Sequence, residues 1–262
     1  FYNRQKKYLQ KIEDVLKAHS LDECFQNEPG HLLEEENHRR KLAHDYLLQW
    51  GGMPALLFIE NDTDRVKWLR DYEYTYLERD LGDLARLDDL GPFRKFQKLS
   101  ALRSGRLVHY SELAKDAAVS VDTARRYLEY LTISYQVFTL APYFENLTST
   151  VIKTPKMYWL DVGLFRQVSG INTPVAGQVY ETMVISEIYK WIRTTQSNVE
   201  MYFYRTRSGL EVDGLLKTAN GFIGIEVKSG EKISGSDLTP LKELAKALGE
   251  KWIGGRSEER RV

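Results

Sequence analysis

Cysteine is almost absent from this chain of 262 residues: Cys24 stands alone. One thiol cannot close an internal disulfide and has no neighbours at metal-ligand spacing. A buried structural thiol in a reducing cytoplasm is the expectation. Long hydrophobic runs are missing too. No stretch approaches the roughly 20 apolar residues that cross a bilayer, and no signal-peptide pattern occurs, so no membrane partner is expected. Nor is there an excess of charge, because 37 Lys and Arg balance 37 Asp and Glu. Global attraction to nucleic acid is thereby excluded, and any such binding must come from local patches. The pattern Gly-x-x-x-x-Gly-Lys-Ser/Thr is nowhere found, so no P-loop and no ATP site is expected. What is present is an ordinary hydrophobic content of 42 % and 16 tyrosines with large amphipathic contact area. The length suits two or three small domains.

The most informative stretch runs from Leu210 to Lys228. Apolar and polar positions alternate on both sides of a short turn, which argues two strands. In the second, Ile223, Ile225 and Val227 point one way, so Glu226 and Lys228 point the other. In the first, Asp213 shares a face with Glu211 and Leu215. A turn centred between Ala219 and Asn220 sets Asp213 opposite Glu226. A turn centred on Asn220-Gly221 sets Asp213 opposite Lys228 and diagonal to Glu226. Either register gathers two carboxylates and one ammonium. Opposed carboxylates repel unless a cation or proton intervenes. Mg²⁺ accepts one or two carboxylates and completes its shell with water and phosphate oxygens. Lys228 can neutralise charge developing on phosphorus-bound oxygens. The plainer alternative is a solvent-facing hairpin with weak, exposed ion pairs.

A third acid sharpens the reading. From Gly177 to Arg193, Tyr180, Val184, Ile185, Ile188, Trp191 and Ile192 recur at helical spacing. Glu181 falls within that apolar stripe, and Glu187 lies on its border. A carboxylate on a buried helix face is expensive unless paired or bound to metal. The alternative is a rim glutamate bonded to backbone.

A helix glutamate, then Asp, then Glu-x-Lys on a hairpin resembles the PD-(D/E)xK fold of restriction enzymes and Holliday-junction resolvases. More closely, the chain resembles the C-terminal region of a large prokaryotic family of AAA+ ATPases. In these, a P-loop domain is followed by a winged helix and a nuclease-like domain of uncertain function. The likeness covers roughly Gly51 to Gly254. It rests on Gly51-Gly52-Met53-Pro54, Tyr76-Leu-Glu-Arg79-Asp80, Pro142-Tyr143, and Pro155-Lys156-Met-Tyr158-Trp-Leu-Asp161-Val-Gly163-Leu164. It continues through Gly177-Gln-Val-Tyr-Glu181, Tyr204-Arg205, Gly209-Leu-Glu211-Val212-Asp213 and Ile225-Glu226-Val-Lys228. The resemblance implies that Glu181, Asp213, Glu226 and Lys228 occupy the catalytic positions, with Asp213 and Glu226 on a Mg²⁺ or Mn²⁺ ion. The Pro-Asp dipeptide is not kept, since Val212 precedes Asp213. By the same resemblance the chain is the C-terminal portion of a longer ATPase, and its partners are DNA and the P-loop domain that is missing here.

The fold class expected is mixed α/β and multidomain. Residues 1–90 would be a helical segment, the remnant of the ATPase lid with its connector. Its helices are read over Tyr2–Leu21, His31–Trp50 and Asp62–Leu87. The charge run from Glu34 to Lys41 is read as a solvated helix face. Residues 91–165 would form a winged helix-turn-helix domain. It has helices from Phe93 to Leu102, from Tyr110 with Ser111 as candidate cap, and from Ser120 to Leu131. Strands at Gln136–Leu140 and Lys156–Leu160 would form the wing. On the third helix Asp122, Arg125, Arg126 and Glu129 face outward, making Arg125 and Arg126 candidates for DNA contact. Winged helices also dock proteins, and this use stays open.

Residues 166–262 would be the restriction-endonuclease-like domain, with Arg205, Arg207 and Lys232 as phosphate clamps. A helix from Ser236 to Leu248, with Pro240 marking its start, would lead to a short strand at Trp252-Ile253. The tail from Gly255 is expected to fray. The function expected is the DNA-handling module of an AAA+ ATPase, a metal-dependent phosphodiester hydrolase. The alternative is a DNA- or protein-binding regulatory module that does not cut.

Overall fold

The computed structural model describes residues 34–75, 90–144, 152–171, 177–229 and 237–259. The helix expected at Tyr2–Leu21, Cys24, Tyr76, Arg79, Asp80 and Lys232 lie outside the described residues. Among the described residues there are eight α-helices and two sheets, a mixed α/β architecture. No helix of these is long and apolar enough to cross a membrane. Contacts group the described residues into two compact units, one within 38–140 and 154–190 and the other within 141–153 and 191–259.

The first unit opens with α1, Glu34–Trp50, whose Arg39, Arg40 and Lys41 are exposed as the charge run implies. It ends because Gly51 turns the chain at φ 75°, its N–H donating to the Leu47 carbonyl at 2.9 Å. A Cβ at Gly51 would lie 2.3 Å from Asp161 Oδ1, and one at Gly163 would lie 2.0 Å from the Trp50 carbonyl oxygen. Only glycine lets these backbones cross. Asp161 binds the crossing together: Oδ2 accepts the Gly52 N–H at 2.8 Å and Oδ1 accepts the Leu164 N–H at 3.0 Å. A 3₁₀ turn, Pro54–Phe58, then buries Leu56 against Trp50 and Leu69.

Helix α2 spans Asp62–Thr75; Asn61 caps it by accepting the Asp64 N–H at 2.8 Å. Helices α3, Gly91–Leu102, α4, Tyr110–Ala117, and α5, Val121–Ile133, follow. Phe93 and Phe96 meet Tyr127 edge-on at 5.0 and 5.6 Å, beside buried Leu113, Ala124 and Leu131. Ser120 caps α5 as expected, accepting the Thr123 N–H at 3.0 Å. Ser111 does not cap α4. That helix already begins at Tyr110 after His109, so the serine lies inside the first turn. Three short strands complete this part: β1, Arg106–Leu107, β2, Val137–Leu140, and β3, Lys156–Trp159. They pair antiparallel in the order β1-β3-β2. Asp161 also caps α6, Val162–Ser169. Helix α7, Gly177–Thr194, begins in this unit, and its last turn counts with the second.

The second unit is a sheet covered by one helix. Its strands are β4, Glu200–Arg205, β5, Glu211–Lys217, β6, Phe222–Lys228, and β7, Trp252–Glu259, in the order β4-β5-β6-β7. The first three are antiparallel and β7 runs parallel to β6. A parallel return needs a crossover, and α8, Thr239–Leu248, supplies it with Pro240 in its first turn. Leu241 and Leu244 of α8 pack with Tyr143, Tyr204, Val212, Leu215 and Phe222. Each such side chain contributes about 1.5–3 kcal/mol. The helix lies so close that a Cβ at Gly224 would sit 2.6 Å from Leu241 Cδ2.

The tail expected to fray is instead paired through Glu259, with Ser257 beside Glu226 and Glu259 beside Lys228. An edge strand needs only backbone hydrogen bonds on one side, so it carries no apolar alternation to read.

Candidate functional site: an acid pair on the β5–β6 hairpin

The hairpin register follows from its turn. Pairs run from Lys217↔Phe222 to Gly214↔Ile225, symmetric about Ala219 and Asn220. This is the first of the two registers the sequence allowed. The ladder ends there; Asp213 and Glu226 are the next residues along the two strands, and the charge of Asp213 acts on Glu226.

At Asp213 the ladder stops being regular. Between the pairs Tyr202↔Leu215 and Tyr204↔Val212, β4 has one residue, Phe203, while β5 has two, Asp213 and Gly214. This is a β-bulge, a device that re-aims a side chain. It shifts the alternation, so Val212 joins Leu215 in the core facing α8. The sequence reading, which kept Glu211 on the face of Asp213 and Leu215, carried the period through the bulge. Gly214 inside a strand was the available signal. The Asp213 carboxylate takes up the loosened backbone, Oδ2 accepting the Val227 N–H at 2.9 Å.

Glu226 is only 4 % exposed, within a strand buried from Phe222 to Val227. This removes the solvent-facing hairpin as a description of the site. Lys228 Nζ, half-buried, donates to Glu226 Oε1 at 2.7 Å. Glu226 Oε2 is buried and has no hydrogen-bond partner. Burial foremost, then the charge of Asp213, raises the Glu226 carboxyl to about 7, against the hydrogen bond and charge of Lys228. Burial pulls the Lys228 ammonium down. The hydrogen bond and charge of Glu226, with Asp213 and Asp237, outweigh that and leave its pKa raised. The hairpin thus holds a surplus of negative charge in a poorly solvated place.

That donor set suits a hard cation. Two carboxylates lie on adjacent strands, and one oxygen is buried without a donor. Among the described residues no group of three or more His, Cys, Asp or Glu side chains is placed to hold a metal ion. The candidate centre is therefore the pair Asp213 and Glu226, with its other positions left to water or phosphate.

The remaining predicted residues have partners of their own. Glu181 lies on α7 in the first unit, where Oε1 accepts from Tyr158 Oη at 2.7 Å and from Lys156 Nζ at 3.3 Å. Lys156 is 2 % exposed, so a carboxylate there offsets a buried ammonium. Sequence reasoning missed this pairing, although a lysine in the apolar run of β3 was its sign. Glu187 pairs with Lys190 one turn on. Arg205 Nη1 binds Glu211 Oε2 at 2.9 Å across β4 and β5, and Arg207 is exposed. On α5, Arg125 lies 4.5 Å over the Tyr110 ring and Arg126 faces Thr123 Oγ1 at 3.5 Å. Both arginines are exposed beside exposed Asp122 and Glu129, so that face carries both signs.

Comparison with known proteins sets a boundary between two families just before α7. Residues 40–175 match a family described as Domain of unknown function (DUF8612), and residues 176–259 match Domain of unknown function (DUF4143). The second is commonly found in C-terminal regions associated with AAA ATPases. Uncharacterized protein Rv2008c of Mycobacterium tuberculosis and Uncharacterized protein Mb2031c of Mycobacterium bovis are each 30 % identical to the chain over 211 residues. The match takes in 77 % of this chain and 47 % of each relative, so the chain spans about half the length of the curated relatives it matches. No solved structure matches it. By the first match, which covers more than half its length, the chain belongs to the DUF8612 family.

Proposed function

We propose that the β5–β6 hairpin is the centre of a metal-dependent phosphodiester hydrolase of the PD-(D/E)xK type, within the DNA-handling part of an AAA+ ATPase. The observation that carries this reading is the buried Glu226 oxygen without a donor, one strand away from Asp213 and beside Lys228. The element order supports it: α7, then β4, β5 and β6, then α8 and a parallel β7, the α-β-β-β-α-β plan of that fold. Helices α3, α4 and α5 with β1, β2 and β3 follow the order of a winged helix. The greater length of the relatives leaves room for a P-loop domain in the whole protein.

In this reading Asp213 and Glu226 hold Mg²⁺ or Mn²⁺, which supplies Lewis acidity at a phosphoryl oxygen. Asp213 is aimed by its bond to the Val227 N–H. Lys228, which cannot ligate metal, holds Glu226 in place and offsets charge developing on the phosphate oxygens. Arg205 and Arg207 serve as phosphate clamps. The test combines Mn²⁺ calorimetry with cleavage of single-stranded, duplex, flap and four-way-junction DNA. Saturable heat that Asp213→Asn removes, together with metal-dependent cutting, is expected. Heat without cutting of any substrate would sink the hydrolase.

A second reading keeps the fold and drops the cutting, leaving a DNA- or protein-binding regulatory module. The observation in its favour is the mixed charge beside Arg125 and Arg126, since affinity for nucleic acid rests largely on neutralising phosphates.

A further inference from the structure

We propose that the first unit holds nucleic acid by its backbone on the solvent face of α3. There Lys95 and Lys98, with Arg106 of β1 beyond the helix end, pair with phosphates without reading sequence. This deepens the DNA-handling part of the proposed function and rests on that part alone, not on cutting.

The charge is local and of one sign. From Gly91 to Ser111 the chain carries Arg94, Lys95, Lys98, Arg103 and Arg106 and no acid. Acids make up 37 of the 262 residues, so a stretch of that length would ordinarily hold about three. Two of the five cations are already engaged: Arg94 lies 4.9 Å over the Tyr74 ring, and Arg103 pairs with Asp116. Lys95, Lys98 and Arg106 are exposed, and no carboxylate among the described residues pairs with them.

The helix sets the two lysines side by side. Phe93, Phe96, Gln97, Ser100 and Ala101 are buried, which turns Lys95, Lys98 and Leu102 outward together. Three positions apart on a helix, Cβ atoms lie about 5–6 Å from each other. Like charges at that spacing weaken a helix. Its dipole favours acids in the first turn and bases in the last, and α3 has neither. The lysines therefore do not serve the helix. Arg106 stands just past its end, where the Arg106 N–H donates to the Arg103 carbonyl at 3.0 Å.

The same face identifies the occupant. A protein interface is built around an apolar core and is poor in lysine. On α3 the one exposed apolar side chain is Leu102, beside two lysines. Phosphate contacts need no apolar core, because displaced counterions supply the affinity. The outer face of α5, where Asp122 and Glu129 accompany Arg125 and Arg126, lacks this single sign.

The test is fluorescence anisotropy of the full chain with two labelled DNA duplexes of unrelated sequence, in a chelating buffer so that neither metal nor cutting enters. Both duplexes should bind saturably and with similar affinity. The triple variant Lys95→Gln, Lys98→Gln, Arg106→Gln should weaken both at least about tenfold and lower the salt slope by about 2–3, each single variant contributing about one. All three side chains are exposed, so the fold should hold, as circular dichroism will verify. Lys41→Gln, Lys67→Gln, Lys246→Gln removes the same charge from exposed positions elsewhere and should leave most of the affinity. The proposal is overturned by anisotropy that does not saturate, by a wild-type salt slope in the triple variant, or by an equal loss in the charge-matched control. Displacement of the duplex by polyglutamate at equal charge concentration would also overturn it and assign the face to an acidic protein. Absence of metal heats or of cutting, with this binding intact, would remove the hydrolase alone.

Discussion

The Asp213 carboxylate accepts the backbone N–H of Val227 at 2.9 Å, standing in where the β5–β6 ladder ends at Gly214↔Ile225. The same side chain thus closes a backbone gap and adds charge beside Glu226. Substitution can separate the two duties. Asp213→Asn keeps an acceptor oxygen for the Val227 N–H, so the melting temperature should hold within a few degrees while Mn²⁺ heats disappear. Asp213→Ala orphans a buried donor and should lose about 1–3 kcal/mol in urea unfolding as well.

Glu226 should make stability depend on pH. Its carboxyl titrates near 4.5 when unfolded and at about 7 when folded. The folded chain binds the extra proton, so its contribution to stability is complete below 4.5 and is lost as pH rises toward and through 7. Urea unfolding in a chelating buffer should show stability falling over that window by up to about 1.4 kcal/mol per pH unit. Glu226→Gln should flatten the slope and gain stability at pH about 8. An unchanged slope in Glu226→Gln would assign the effect to another group.

Lys228→Ala should cut phosphodiester cleavage by about 100-fold or more, measured above the titration of Glu226, while Mn²⁺ heats persist. Cleavage at the wild-type rate in this variant would mean a contaminating nuclease or a different chemistry.

Glu181 invites a test of its coupling to Lys156. Glu181→Gln leaves Lys156 with a neutral partner and should cost about 1–3 kcal/mol of stability. The double variant Lys156→Met, Glu181→Gln should recover part of the loss, the sign of a coupled pair. No recovery in the double variant would mean that Glu181 does not act through Lys156.

Arg125→Ala with Arg126→Ala should weaken duplex DNA in fluorescence anisotropy and lower the salt slope by about one for each lost phosphate contact. Unchanged affinity would assign the exposed face of α5 to a protein partner.

Local patterns narrowed the hairpin to two registers and made the Ser120 cap readable, because a two-residue period and a helix start are written in neighbouring residues. The bulge at Asp213 and Gly214 was not, since a single inserted residue shifts the period without changing composition. The pairing of Lys156 with Glu181 joins positions 25 apart and depends on how β3 meets α7, which no local pattern encodes. Burial of Glu226 had the same origin: charge alternation on β6 looks solvent-facing until α8 and β7 are in place. Strand β7 was read short because backbone pairing at a sheet edge leaves no mark on side-chain polarity.

The bond between the Gly52 N–H and Asp161 spans 109 positions, and the backbones of Trp50 and Gly163 cross at the same place. So distant a closure costs chain entropy that only the finished crossing returns. On the ribosome, Trp50 at the end of α1 can meet Leu56 and Leu69 early, but the crossing itself must wait while the whole of α2 to β3 is synthesised. A ribosome stalled before Asp161 would hold a chain whose first glycines have nothing to close against. Protease sensitivity near residue 51 should then vanish abruptly as the segment around Gly163 leaves the exit tunnel.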